Sequence, residues 1–156
     1  MHPNAALIDR FYTAFQQRDA DGMAACYHPD VVFSDPAFPH LVGDEARAMW
    51  AMLCERGTDL VLTYSDVHAD DTTGRAAWEA TYTFGGKRKV HNRIQAHFRF
   101  EDGLIREHRD TFSFPRWARQ ALGPMGLALG WTPFVQNKVR QQARKGLDRF
   151  MAKQRG

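Results

Sequence analysis

The stretch FRFEDGLIREHRDTFSF, Phe98–Phe114, decides the fold. Asp102-Gly103 lies between two runs of extended character, Val90–Phe100 and Leu104–Phe114. An Asp-Gly pair in that setting predicts a tight antiparallel hairpin, because glycine accepts the positive φ such a turn demands. Residues two apart on a strand share a face. His108, Asp110 and Phe112 therefore point one way, and Glu107, Arg109 and Thr111 the other.

Upstream the same pattern repeats. Asp59–Asp70 and Arg75–Phe84 alternate or run apolar like strands, and the joints Asp70–Gly74 and Gly85-Gly86-Lys87 supply turn residues. Strands of about ten residues are long enough for an antiparallel sheet to curl around packed helices. Towards the N-terminus the period becomes helical. Leu7, Ile8, Phe11, Tyr12 and Phe15 recur at three- and four-residue spacing over Asn4–Arg18, with Asn4 as the expected cap. A short helix is expected from Asp21 to about Tyr27, a brief strand at Val31–Ser34, a loop over Asp35–Gly43 and a third helix from Asp44 to about Glu55. Beyond Phe114 come the helical stretches Pro115–Leu122 and Pro133–Lys153 around a glycine-rich turn. The fold class is therefore α+β, with a domain over 1–114 and a helical extension over 115–156 that packs on it or on a partner.

Composition narrows the function. The chain has 156 residues, 44% hydrophobic and 25% charged, which fits one globular domain and excludes a disordered chain. Cys26 and Cys54 have neither disulfide-framework nor zinc spacing, and no metal or cofactor is expected. Met1–Arg10 lacks a basic segment followed by an apolar one, so a reduced, cytoplasmic protein is expected. The longest uncharged run, Gln120–Asn137, holds three Gly and two Pro and does not read as a spanning helix. From Phe134 onward seven Lys and Arg face the single Asp148, which gives +6; the chain's net +3 therefore leaves −3 on the rest. The basic tail suits a partner or an anionic membrane surface, but without interleaved aromatics it does not suit nucleic acid.

The segments LIDRFYTAFQQRDADGMAACYHPDVVFSDP (Leu7–Pro36) and FRFEDGLIREHRDTFSF (Phe98–Phe114) resemble the opening and the last two strands of the SnoaL-like and ketosteroid-isomerase-like proteins of the nuclear-transport-factor-2-like superfamily. The resemblance covers about residues 5–114. It implies a cone-shaped, curled antiparallel sheet on N-terminal helices, a cystatin-like α+β barrel, whose mouth opens into an apolar pocket. It also implies a small hydrophobic ligand. Asp35, in FSDP, falls on the isomerases' proton-shuttling aspartate; a turn-forming role is the alternative. His108 and Asp110, in EHRD, fall where SnoaL-like proteins carry a histidine and a general acid/base on the pocket face. A buried pair satisfying each other is the alternative.

Other positions depart from the isomerases. The tyrosine of their first helix falls on Phe11 and the protonated aspartate of their penultimate strand near Ala96, so both oxyanion donors are lost and steroid isomerisation by that route is rejected. Tyr12 is rotated about 100° from Phe11 and does not simply replace it. An epoxide-hydrolase relay would need Arg93 inside, yet the alternation turns Arg93 outward with His91 and His97. Tyr12, Phe15, Trp50, Trp78, Tyr82 and Asn92 are the candidate ligand contacts. Two functions follow: cofactor-free acid–base catalysis (cyclisation, isomerisation or hydration) by Asp35, His108 and Asp110, or ligand binding without turnover. A homodimer through the outer sheet face is expected in either case.

Overall fold

The computed structural model describes residues 1–155. Helices α1 (Pro3–Gln16) and α2 (Ala20–Ala24) lead into β1 (Tyr27–Ser34), β2 (Leu41–Val42) and helix α3 (Asp44–Arg56). Four long strands follow: β3 (Val61–Ala69), β4 (Thr73–Phe84), β5 (Arg88–Glu101) and β6 (Leu104–Thr111). Helices α4 (Phe114–Leu122), α5 (Pro124–Leu129) and α6 (Pro133–Arg155) end the chain. The six strands form one open sheet in the order β2-β1-β6-β5-β4-β3.

The β3–β6 meander is antiparallel, as its turn glycines require. Strand β1 departs from the antiparallel expectation: it runs parallel to β6. Hairpin signals set direction only for strands adjacent in sequence, and β1 is separated from β6 by α3 and the whole meander. Strand β1 also begins four residues earlier than expected. Pro29, which cannot donate to a ladder, sits in an irregularity between the Tyr27–Ile105 and Val32–Glu107 pairs. Tyr27 thereby belongs to the sheet and not to the second helix. At α1 the cap is His2, whose Nδ1 accepts the Asn4 N–H at 3.0 Å, and Pro3 takes the first helical position. Asn4 instead donates from its side chain to the Asp70 carbonyl at 3.0 Å, tying α1 to the β3–β4 turn.

The core lies between the concave sheet face and helices α1 and α3. It takes Leu7, Ile8, Phe11 and Phe15 from α1, Met49 and Trp50 from α3, and Trp78, Ile94, Ala96 and Phe98 from the sheet. Along β5 every second residue from Val90 to Phe98 is buried, and Arg93, Gln95 and His97 are exposed between them. Helix α4 closes one end through Trp117, Ala118 and Ala121 against Val90. Helix α6 packs back on this same chain by burying Leu147 and Phe150 in the main core. No described helix is long and apolar enough to cross a membrane.

Candidate active site

Asp110 is opposite Ala96 in the β5–β6 pairing and His108 is opposite Phe98, so both project from the concave face. They bond each other, His108 Nε2 to Asp110 Oδ1 at 2.9 Å. The chain of bonds continues in both directions. Trp50 Nε1 lies 2.7 Å from the Tyr27 hydroxyl, which lies 2.7 Å from His108 Nδ1. Trp78 Nε1 reaches Asp110 Oδ1 at 3.4 Å. An indole N–H can only donate. The Tyr27 oxygen therefore accepts from Trp50, and its own proton is free to go to His108 Nδ1. That leaves the imidazole proton on Nε2, aimed at the Asp110 carboxylate. With the protons so placed, all donors run toward Asp110.

The imidazole sits in an aromatic box. Phe98, Phe33, Phe11 and Trp50 place their ring centres 4.5, 5.0, 5.4 and 5.9 Å from it. Burial pushes the Tyr27 phenol well above its ordinary pKa, against the opposing Trp50 bond, and the Asp110 charge adds to the rise. Tyr27 therefore stays protonated and available as the donor. Tyr12 is fully buried and stacks on Tyr64, and its hydroxyl has no partner among the described residues. Burial and the Asp110 charge push its pKa well up too.

Asp35 follows β1 at a sharp bend. Its Oδ1 accepts the N–H groups of Ala37 at 2.7 Å and Phe38 at 2.6 Å, so the turn-forming role does exist. Both bonds fall on Oδ1; Oδ2 receives none among the described residues. The carboxyl is pushed up from 3.8 to about 7. Burial is the main cause and the Asp110 charge adds to it, while the two N–H groups and Arg140 oppose. At neutral pH Asp35 is thus divided between acid and carboxylate.

Asp35 and Asp110 open on one cavity of about 880 Å³. Phe15, Trp50, Trp78, Tyr82 and Asn92 also line it. Tyr12 and His108 do not: Tyr12 packs behind the wall, and His108 reaches the cavity only through Asp110. Tyr82 accepts a 2.8 Å bond from Trp117 Nε1, which joins the cavity wall to α4. Arg93 stands outside, 3.3 Å from Glu79, so it forms no relay with the two aspartates. His91 bonds the same carboxylate at 2.8 Å.

Tyr27 is the site residue that sequence reasoning missed. Its signal was local: a tyrosine directly before His-Pro at the entry to a strand. The wall supplied by Phe114, Leu122, Met125, Phe134 and Val139 from α4–α6 was legible only as an apolar segment.

One cluster elsewhere has the make-up of a metal site, His28 with Glu101 and Asp102. Its geometry argues against one. His28 Nδ1 accepts the Asp30 N–H at 3.0 Å, so Nε2 carries the ring proton and points it at Glu101, 3.1 Å away. Arg106 further neutralises Glu101.

Comparison with curated proteins gives no match. Solved structures share the fold at low identity. An NTF2-like protein of unknown function from Burkholderia pseudomallei superposes with a TM-score of 0.68 at 18% identity, covering 78% of this chain and 98% of that one. A candidate SnoaL-like polyketide cyclase from Jannaschia gives 0.67 at 16%, covering 78% and 93%. An LEH-like epoxide hydrolase from Mycobacterium tuberculosis gives 0.63 at 19%, covering 81% and 92%. At such identities these likenesses establish the NTF2-like fold and leave the chemistry open. The SnoaL-like domain model matches residues 8–108, from the first turns of α1 to the His108 at the centre of the bonded chain, and on that match the protein belongs to the SnoaL-like domain family.

Proposed function

We propose that this protein takes a small hydrophobic molecule into its cavity and moves a proton on it by cofactor-free acid–base catalysis, in a cyclisation, isomerisation or hydration. One observation carries the reading: two carboxyl groups face one largely apolar cavity in unequal environments. Asp110 is buried, with Trp78 Nε1 and His108 Nε2 both on one of its oxygens. Asp35 lies near neutrality. A pair whose environments separate their proton affinities is how one site performs both halves of a proton transfer.

In this reading the Asp35 carboxylate takes a proton from a carbon next to a carbonyl. The electron pair of that C–H bond becomes the carbon–carbon π bond of an enolate, and the carbonyl π pair moves onto the oxygen. The Asp35 acid then returns the proton to the carbon or oxygen that ends the rearrangement. Protons and electrons balance without a cofactor in an isomerisation or an aldol cyclisation; a hydration also consumes one water, whose oxygen adds to the carbon that is not protonated. Asp110, ordered by His108, Tyr27 and Trp78, keeps Asp35 basic through its charge. Phe15, Trp50, Trp78, Tyr82 and Asn92 hold the substrate, with Asn92 as a neutral donor to its carbonyl or hydroxyl. A second reading, binding without turnover, is favoured by Phe11 and Ala96, which leave an enolate without the donors of the isomerases.

A flat apolar ketone decides between the two. With 2-tetralone in deuterated buffer, NMR follows exchange at the carbon next to the carbonyl, and tryptophan quenching follows binding. The catalytic reading expects exchange that Asp35→Asn abolishes while binding persists. Binding with no exchange above buffer in either protein favours the second reading. The homodimer through the outer sheet face also belongs to the proposal; light scattering of Arg93→Glu against the parent chain tests it.

A further inference from the structure

The three cations Arg116, Arg119 and Lys138 stand beside large exposed apolar side chains of α5 and the start of α6. Leu127, Trp131 and Phe134 are 66%, 72% and 69% exposed. Met125 and Leu129 are exposed beside them. Exposure of large side chains in such a run marks an interaction surface.

Charge identifies the partner. Arg116 and Arg119 line a surface cleft together with Leu127 and Trp131. Lys138 lies over the Phe134 ring, 5.8 Å from its centre. From Thr111 to Leu147 the chain has no Asp or Glu, against Arg116, Arg119, Lys138, Arg140, Arg144 and Lys145. An apolar ridge carrying an exposed tryptophan and edged by cations matches the boundary of an anionic bilayer. There the apolar side chains enter the acyl region, the indole sits at headgroup level, and the cations meet lipid phosphates. Among the described residues, no carboxylate lines the cleft that Arg116 and Arg119 share with Leu127 and Trp131.

The ridge also leads somewhere. Met125, Leu129 and Phe134 are at once exposed and part of the cavity wall. We infer that helix α5 and the start of α6 form a docking surface for anionic phospholipid membranes, set so that the cavity opens toward the lipid. An apolar molecule dissolved in a bilayer reaches Asp35 and Asp110 this way without crossing water. Docking needs no turnover, so it stands or falls apart from the proton chemistry.

The test uses the full chain with vesicles of phosphatidylcholine containing about a third phosphatidylglycerol, and with vesicles of phosphatidylcholine alone. Sedimentation is expected to carry the protein down with the anionic vesicles only, less as salt rises. Trp50, Trp78 and Trp117 are buried, so a blue shift of emission on binding reports Trp131; Trp131→Phe is expected to remove the shift and keep the binding. Arg116→Gln with Arg119→Gln is expected to weaken partition at least about tenfold. Leu127→Ser with Trp131→Ser is expected to abolish it at an unchanged melting temperature. No partition, equal partition on both vesicles, or binding that survives either double substitution overturns the proposal. A concentration-dependent dimer that Leu127→Ser with Trp131→Ser dissociates, without vesicle binding, assigns the ridge to a second copy and overturns it equally.

Discussion

The two ends of the cavity are built in opposite ways. At the inner end Trp50, Tyr27, His108, Asp110 and Trp78 form an unbroken line of hydrogen bonds enclosed by rings, and all five are buried. At the outer end α5 and the start of α6 present large apolar side chains outward. Helix α6 is fastened there by Arg140 and Gln136 to the Pro36 carbonyl and by Arg144 to Glu45. Farther along, Leu147 and Phe150 anchor the same helix in the core. The difference teaches that the ionisable groups are positioned by packing no local motif describes, while the entrance is held by the small cluster of Val135 with Val90 and Trp117 and by a few polar contacts. Pro36 directly follows Asp35, so the fastening also ties the outer helix to the segment that carries the near-neutral carboxyl.

The largest effect expected at the inner end is on proton transfer. Asp35→Asn keeps an acceptor for the Ala37 and Phe38 N–H groups and lowers exchange of the ketone by about 10²–10⁴-fold, the range of general-base catalysis. NMR exchange rates at matched occupancy check this. At the outer end the anchor should dominate. Leu147→Ala costs about 2–5 kcal/mol in urea unfolding, whereas Trp131→Ser stays within about 0.5 kcal/mol. If the two cost the same, the contrast between anchor and ridge fails.

Asp35 also makes a stability prediction. Its carboxyl is raised from 3.8 to about 7 on folding, so the folded state binds the proton more tightly than the unfolded one. That contribution is complete below pH 4 and is lost as the pH rises through 7, by at most about 4 kcal/mol. Asp35→Asn should therefore melt higher than the parent at pH 8, with the gap closing toward pH 4; a gap that does not vary with pH contradicts the raised carboxyl. A gain in stability with a loss of activity is the usual sign of a functional group held at a cost.

Tyr27→Phe tests the bonded line. It leaves the Trp50 N–H and His108 Nδ1 without partners at unchanged ring packing, for about 1–3 kcal/mol. Calorimetry showing no change would make the line incidental. The smallest effect is on the pH profile. Because the Asp110 charge raises Asp35, Asp110→Asn should shift the rising limb of any Asp35-dependent rate to lower pH, and a limb that stays near 7 would uncouple the two carboxyls.

Much of the fold was legible because its signals are local. The Asp102-Gly103 turn, the alternation along β5 and the apolar stripe of α1 each involve residues close in the chain. Strand β1 was not, since its parallel pairing with β6 joins residues about eighty apart and its irregular start at Pro29 imitates a loop. In the site, Asp35 and the His108–Asp110 pair stood out through motif and spacing. Tyr27 was hidden in what looked like the end of a helix. Tyr12 and Phe11 show the reverse: the turn angle of a helix correctly separates them, but it does not say that Tyr12 ends up behind the wall.

The order of the residues alone determined the class of the fold, the facing of the last strand and the basic, acid-free stretch beyond it, because period, turn chemistry and charge are properties of neighbours along the chain. Only the tertiary structure decided that Asp35 and Asp110 open on one cavity, that Tyr27 and Trp50 complete the line to His108, and that the last helix returns to this same chain. Those relations join segments far apart in sequence, and the burial that raises Asp35 exists only once the chain has closed around it.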